Sequence, residues 1–322
     1  MALNTAGELS VTVVSKGEAK SIEQPKHEKP FHRRMQAWLG KYPKAYGLID
    51  AYDGNNEFFN TMEALGVRLP KSEKLLIVAE PLLQQLTANL VIVQPDDGGF
   101  EYFDGSRSAV GFVPALSWLS VTRARARTGK GEYRAWISAD SGPDAAGMLD
   151  IALARLSGTF EEFGFSVDTK RRLPGDMSDA GLVVVTAHGG LAQEGRYLHS
   201  IRAEETLVEP PSALAASLAG VELVILFVCS GGRIDKHPWG NRTVGLPRQL
   251  LDKGARAVIA SPWPLDVKVT YTWLEPFMNA WNAGATVLQA TKVANEVVAK
   301  RLGDNPQYSL AMSVYGDVLM TK

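Results

Sequence analysis

Short, almost continuous apolar runs separated by helix-like segments are the feature that most constrains this fold. The runs lie at 182–187, 223–229 and 256–261, and helical patterns fill 212–219 and 246–253 between them. Strands that are apolar on both faces and alternate with helices are typical of a parallel sheet covered by helices on both sides. The sequence therefore predicts an α/β fold.

The N-terminal part of the chain has a different texture. Residues 1–30 are polar apart from a β-like run at 11–14, and we expect a loosely ordered tail there. Between 31 and 65, apolar residues recur at spacings of three and four, which predicts two or three helices. We therefore divide the chain into an N-terminal appendage at 1–73, the natural place for regulation, and an α/β domain at 74–322.

The charge balance excludes a protein that binds nucleic acid or membranes through a global field. Lys and Arg number 34 against 35 Asp and Glu, so the formal net charge is −1. A local basic patch stands out, and Tyr133 is the one aromatic residue within it that could stack on RNA. We interpret the patch as a solvated helix end and loop. Its members are Arg123, Arg125, Arg127, Lys130 and Arg134.

A single cysteine, Cys229, excludes an intrachain disulfide and a cysteine-based zinc cluster, and it fits a reducing compartment. The five histidines lack metal-ligand spacing, and neither a GxGxxG nor a Walker A motif occurs, so we expect no metal and no cofactor. The N-terminus lacks the pattern of a secretory signal, and no apolar run approaches the ~20 residues that span a bilayer. These features predict a soluble cytoplasmic protein.

Two neighbouring strands of the predicted sheet end in residues that can carry chemistry. His188-Gly189-Gly190 follows one strand, and Cys229 follows the other with Ser230 and two glycines behind it. Reactive groups collect beyond the carboxyl ends of parallel strands, so the imidazole and the thiol are expected to be neighbours. A nearby imidazole can take the proton of an attacking thiol.

The glycines suit such a site, although a plain structural role stays open. A glycine after the histidine lets its N–H approach a substrate oxygen, and the glycines after the cysteine leave room for a peptide chain. By residue type alone, a cysteine at the end of a buried strand is most often a small core residue. A lone histidine in that position is usually structural as well.

The chain from residue 74 onward resembles CHAT domains, which are caspase-like cysteine peptidases related to caspases, separases and gingipains. VVVTAHG at 183–189 resembles the family's histidine strand, LVILFVCSG at 223–231 its cysteine strand, and GARAVIASPWP at 254–264 its most specific stretch. Further similar segments lie at 75–82, 113–119 and 311–316. The resemblance implies a caspase-like three-layer sandwich with a mostly parallel central sheet, plus a small helical N-terminal region.

The same resemblance implies roles for particular residues. Cys229 would be the nucleophile, His188 the general base, and the N–H groups of Gly189 and Cys229 the oxyanion donors. Substrate strands in this superfamily lie along the segment after the next strand. That segment here contains Ser261, Trp263 and Asp266, which are the expected substrate-binding residues.

Asp266 has two interpretations that the sequence leaves open. Separases carry an acidic residue near this point that reads a basic P1 side chain, so Asp266 could line a pocket for Arg or Lys. It could equally cap a helix that starts near Lys268.

The function implied by the resemblance is that of a cysteine endopeptidase cleaving a specific protein partner. Bacterial members are often encoded beside a protein that they activate, such as a pore-forming gasdermin or another antiviral defence effector. We therefore expect a protein substrate and an activating partner, without direct contact to nucleic acid or membrane. The alternative is a catalytically inactive CHAT-fold module with an interaction or regulatory role.

Overall fold

A computed structural model of the chain provides the structure. It describes residues 1–41, 60, 62–70, 72–93, 102–127, 131–138, 147–170, 172–175, 177–178, 180–191, 199–204, 207–236 and 243–322. The part of the predicted N-terminal helical region at 42–59 lies outside the described residues.

The strands alternate with helices along most of the chain. The strands are β1 (Ala2–Leu3), β2 (Leu9–Ser15), β3 (Glu18–Ile22), β4 (Lys74–Ile77), β5 (Ile92–Val93), β6 (Tyr102–Phe103), β7 (Ala109–Phe112), β8 (Tyr133–Ile137), β9 (Phe165–Asp168), β10 (Leu182–Leu191), β11 (His199–Glu204), β12 (Leu207–Glu209), β13 (Leu223–Val228), β14 (Asp235–Lys236), β15 (Thr243–Val244), β16 (Ala257–Ala260) and β17 (Ser313–Gly316). The helices are α1 (Phe31–Lys41), α2 (Leu116–Ala124), α3 (Met148–Glu162), α4 (Pro211–Ser217), α5 (Leu246–Asp252), α6 (Val267–Asn282), α7 (Val287–Leu302) and α8 (Pro306–Ser309).

The largest sheet contains ten strands within the described part of the chain. Strands β9, β8, β10, β13 and β16 lie side by side and run parallel to one another. Beyond them, β17 is antiparallel to β16, and β7 and β4 run parallel to β17. After its parallel portion, β10 continues into an antiparallel pair with β11. The α/β fold with a mostly parallel central sheet is therefore confirmed.

Alternate residues of the central strands pack into two separate cores, one on each face of the sheet. Val184, Ile225 and Ile259 belong to the core that contains α3, α6 and α7. Val185 and Leu226 belong to the core that contains α4 and α5. Because every side chain of β13 is buried in one core or the other, its sequence is apolar throughout. The molecule is thus a three-layer sandwich.

The N-terminal region is more ordered than its composition predicts. Instead of one short strand at 11–14, β1, β2 and β3 form a three-stranded antiparallel sheet. Leu9 and Val11 of β2 are buried, whereas Ser10 and Thr12 between them are exposed. The backbone of Met1 is bonded to the region after β4, since Glu80 N donates to Met1 O at 3.1 Å. Long-range packing of this kind leaves little trace in composition.

Helix α1 joins the same core as the sheet. Its residues Phe31, Met35 and Trp38 are buried and belong to the cluster that contains Ile77 of β4. The N-terminal region therefore rests against the α/β domain and shares its core. A search of the described residues finds no helix long and apolar enough to cross a membrane.

Candidate active site

The structure places His188 and Cys229 beside each other at one edge of the central sheet. In the parallel pairing of β10 with β13, Ala187 lies opposite Val228. His188 is the next residue of β10 and Cys229 directly follows β13, and neighbouring strands lie about 4.8 Å apart. Both residues are half-buried, so this edge remains partly accessible to solvent.

Gly189 brings the two strand ends into close contact. A Cβ atom at this position would overlap the carbonyl oxygen of Cys229 and lie 3.2 Å from the Cys229 nitrogen. Only glycine therefore fits here. The backbone around His188 is held on both flanks, because β10 pairs with β13 up to Ala187 and His188 lies opposite Arg202 of β11.

The turn after Cys229 is fixed by main-chain hydrogen bonds. Ser230 adopts a left-handed conformation, with φ at 56°. Its N–H donates to Trp263 O at 2.9 Å, and Gly232 N donates to Ser261 O at 2.7 Å. Gly231 N closes the turn by donating to Val228 O at 2.9 Å.

The two glycines of this turn serve packing. A Cβ at Gly232 would lie 2.8 Å from Ala260 O, and one at Gly231 would lie 3.0 Å from Val228 O. Gly232 therefore approaches the end of β16, and Gly231 approaches Val228 at the start of its own turn. These contacts account for glycine at both positions, and the expected room for a peptide chain beside them stays a prediction.

The thiol of Cys229 contacts the backbone of Leu265. Leu265 N donates to Cys229 Sγ at 3.4 Å, and the thiol lies 3.8 Å from Leu265 O. Burial raises the pKa of the Cys229 thiol, while the N–H groups of Leu265 and of Cys229 itself partly offset that rise. The thiol is consequently protonated at neutral pH in this arrangement.

The CHAT domain family model matches residues 58–311, which is most of the chain. The chain belongs to the CHAT domain family. A search of curated proteins gives no significant match.

Solved structures with a similar fold include separase. In two crystal structures of the Saccharomyces cerevisiae separase–securin complex, the TM-scores are 0.53 and 0.51 at 12% and 14% identity. These matches cover 92% and 83% of this CHAT protein but 20% and 17% of the matched chains, so it spans about a fifth of their length. A further structure of a protease has a TM-score of 0.50 at 12% identity, covering 90% of this chain and 76% of that one. At these identities the likeness establishes a caspase-like fold.

The expected substrate-binding residues of this CHAT domain lie in the segment that contacts Cys229. Ser261 and Trp263 are fully buried. The Ser261 hydroxyl donates to Trp263 O at 2.8 Å, and Trp263 Nε1 donates to Gln307 O at 3.0 Å. Asp266 is the N-cap of α6, where its Oδ1 accepts from Lys268 N at 2.8 Å. Asp266 thus has the geometry of the capping interpretation.

Two features of this edge have no recognisable signature in the amino-acid sequence. Leu265 contacts the thiol through backbone atoms, which its residue type cannot reveal. Arg233 and Asp235 form a buried ion pair behind the Cys229 turn, with Arg233 Nε 2.9 Å from Asp235 Oδ2. Burial outweighs the attraction of Arg233 and raises the pKa of Asp235 to about 6. Across the described residues, no group of three or more His, Cys, Asp or Glu side chains could hold a metal ion.

Proposed function

We propose that this CHAT domain is a cysteine endopeptidase that hydrolyses a peptide bond in a protein partner. The observation that carries the proposal is the register of β10 and β13, which makes His188 and Cys229 neighbours at an accessible edge. Membership of the CHAT family and the caspase-like fold support the same activity class.

In the proposed reaction, Cys229 Sγ attacks the carbonyl carbon of the scissile bond while His188 accepts the thiol proton. The developing oxyanion accepts hydrogen bonds from the N–H groups of Gly189 and Cys229. His188 then gives the proton to the departing amine, which leaves a thioester on Cys229. Water hydrolyses the thioester with His188 as the base and restores the thiol.

The resting state requires the thiol to leave its contact with Leu265 before attack. Because the pKa of Cys229 is raised, the nucleophile is a neutral thiol, and His188 has to accept its proton during the reaction. Binding of substrate or of an activating partner along 261–266 would release the thiol from Leu265. Ser261 and Trp263 are fully buried in this structure, so the same change would have to expose them before they could bind substrate together with Asp266.

The physiological partner we propose is a protein, and a gasdermin-like pore-forming effector in the bacterial cytoplasm is the class that the family resemblance implies. Residues 1–73 would form the regulatory part of the molecule. Their shared core with β4 supports a direct influence on the peptidase domain.

One observation favours a second candidate, a non-catalytic interaction module. Burial raises the pKa of Cys229, and although the Leu265 N–H partly offsets this rise, the net effect reduces the thiolate fraction on which nucleophilic attack depends. Under this alternative, Cys229→Ala would leave the biological effect of the protein unchanged.

Cleavage of a fluorogenic peptide library separates the two candidates. The endopeptidase predicts that the native protein cleaves some peptides and that Cys229→Ala and His188→Ala each lower the rate by about 10³-fold or more. His27→Ala, which removes an exposed histidine of the N-terminal region, is the matched control and should leave the rate unchanged. Cleavage that survives in Cys229→Ala would refute the assignment of the nucleophile.

Alkylation by iodoacetamide tests the pair without a substrate, because Cys229 is the single thiol of the chain. The rate is measured by intact mass against pH. Because burial raises the pKa of Cys229, we expect the alkylation rate to increase mainly at pH values above the ordinary thiol pKa near ~8.5. In His188→Ala, the rate at pH 7.5 should fall about tenfold, because the base that accepts the thiol proton is missing. A curve indifferent to His188 would contradict the proposed role of this residue.

A further inference from the structure

The opposite edge of the sheet contains an open cleft that is lined by arginine side chains. Its volume is about 440 Å³, and we call it the arginine cleft. Its lining residues are Arg123, Arg125, Arg127, Arg256, Asp317, Leu319, Met320 and Thr321. Arg256 directly precedes β16, whereas the segment that contacts Cys229 follows the other end of that strand.

Two of the four arginines are neutralised by buried carboxylates. Arg123 Nη2 lies 2.7 Å from Asp317 Oδ1, and the Asp317 side chain is 4% exposed. This pairing raises the pKa of Arg123. Arg256 Nε lies 3.0 Å from Glu222 Oε2, and these side chains are 7% and 9% exposed.

The other two arginines are positioned by backbone carbonyls. Arg125 Nη2 donates to Gly254 O at 2.7 Å, and Arg127 Nη2 donates to Thr321 O at 2.8 Å. A carbonyl orients a guanidinium without cancelling its charge. Within the described residues, Arg125 has no ion pair, and Arg127 is 4.0 Å from the Glu222 carboxylate that Arg256 already occupies.

The cleft is therefore a cationic site in which backbone carbonyls contact two of the arginines. The guanidinium of Arg256 also donates to Arg125 O, which ties the extended backbone of Arg125 to the start of β16. Among the described residues at the cleft, the four guanidiniums carry four positive charges and the carboxylates of Asp317 and Glu222 carry two negative ones. The net charge at the cleft is therefore +2. Each arginine has five N–H donors, and Arg125 and Arg127 retain donors beyond the carbonyl contacts described above.

We propose that the arginine cleft binds a small molecule that carries a diphosphate or triphosphate group. The guanidiniums of Arg125 and Arg127 both line the cleft, and arginine binds phosphoryl groups through paired hydrogen bonds. The cleft volume lies within the roughly 300–1,000 Å³ typical of small-molecule sites. Leu319 and Met320 offer apolar contact to the rest of such a molecule.

The composition of the cleft argues against RNA as its ligand. Binding of single strands relies on aromatic side chains on which bases stack, and none stands among the described residues that line the cleft. The proposed phosphate site is also independent of whether Cys229 is catalytic, because none of the proposed site residues lines it.

Isothermal titration calorimetry of the full chain tests this site with inorganic pyrophosphate and with ADP at constant ionic strength. We expect saturable binding of one molecule per chain to at least one probe. The double variant Arg125→Gln/Arg127→Gln should weaken binding about tenfold or more. Arg33→Gln/Arg301→Gln removes two exposed arginines elsewhere and should bind like the native protein.

The two probes distinguish the possible sources of the phosphate. Equal affinities would assign the site to the phosphate groups alone, and tighter binding of ADP would add contacts to the organic part. Absence of saturable binding for both probes, or an equal loss in the Arg33→Gln/Arg301→Gln control, would overturn the proposal. Displacement of both probes by a single-stranded RNA that binds more tightly would also overturn it. Thermal melts of each variant serve to check that the fold is retained.

Discussion

The two ends of strands β13 and β16 are built in contrasting ways. At the carboxyl ends, the turn after Cys229 is held by main-chain hydrogen bonds to 261–263, and glycines allow backbones to approach closely. At the amino ends, Glu222 and Arg256 form a buried ion pair beside the arginine cleft. The first end therefore depends on backbone shape and the second on balanced charge, so different substitutions should damage them.

The largest expected effect is at the charged end. Glu222→Ala leaves Arg256 buried without its carboxylate, and this should lower the free energy of unfolding by about 3–5 kcal/mol. Urea denaturation measures the change. The control is Glu296→Ala, which removes the exposed partner of Lys292 at 3.7 Å and should cost less than about 1 kcal/mol. Equal losses of unfolding free energy in the two variants would contradict the view that the amino ends of the strands depend on balanced charge.

A methyl group should be the most damaging change at the cysteine end. Gly189→Ala places a Cβ against the Cys229 carbonyl oxygen, and we expect a loss of about 2–3 kcal/mol in unfolding free energy. Gly158→Ala is the matched control, because it lies inside α3 with nothing within 4 Å of the added Cβ. That variant should gain about 0.5–1 kcal/mol. A stable Gly189→Ala protein would mean that the ends of β10 and β13 can separate enough to admit a Cβ atom.

The buried Arg233–Asp235 ion pair also lies at the cysteine end, and its effect on the free energy of unfolding should depend on pH. The folded pKa of Asp235, about 6, is above its ordinary value of 3.8, so the folded state binds the proton more tightly. Stability from this group is complete below pH 3.8 and is lost as pH rises through about 6, by on the order of 3 kcal/mol. Urea midpoints between pH 4 and 7 measure this, and Asp235→Asn should flatten that part of the profile.

The smallest effect concerns Asp266. Asp266→Ala should cost about 1 kcal/mol through loss of the α6 cap, while Asp266→Asn retains a capping oxygen and most of the stability. For the proposed peptidase, we expect both variants to keep the native ratio of cleavage at basic and neutral P1 residues. A selective loss at Arg and Lys peptides in Asp266→Asn would instead assign Asp266 to a P1 pocket.

The central sheet and the meeting of His188 with Cys229 were predictable because both follow from local pattern. Strands buried on both faces are apolar throughout, and parallel neighbours bring their carboxyl ends to one edge. Once the two strands are identified as parallel neighbours, the position of His188 beside Cys229 follows without knowledge of side-chain contacts.

Other features depend on partners that are distant in the sequence. Arg125 and Arg127 resemble a solvated loop until Arg256 and Gly254 are placed beside them. The β1–β3 sheet depends on burial of Leu9 and Val11 against the core of the α/β domain. Asp266 has the right residue type for both a cap and a pocket, so only geometry could distinguish them.

The hydrogen bonds around Cys229 have a consequence for amide hydrogen exchange. Each N–H from Ser230 to Arg233 donates to a backbone oxygen, and two of these oxygens belong to Ser261 and Trp263. Although the turn lies at an edge of the sheet, its amides should exchange as slowly as those of a core strand. Exchange at Ser230 and Gly232 requires separation from 261–263, so the two segments should open as one cooperative unit.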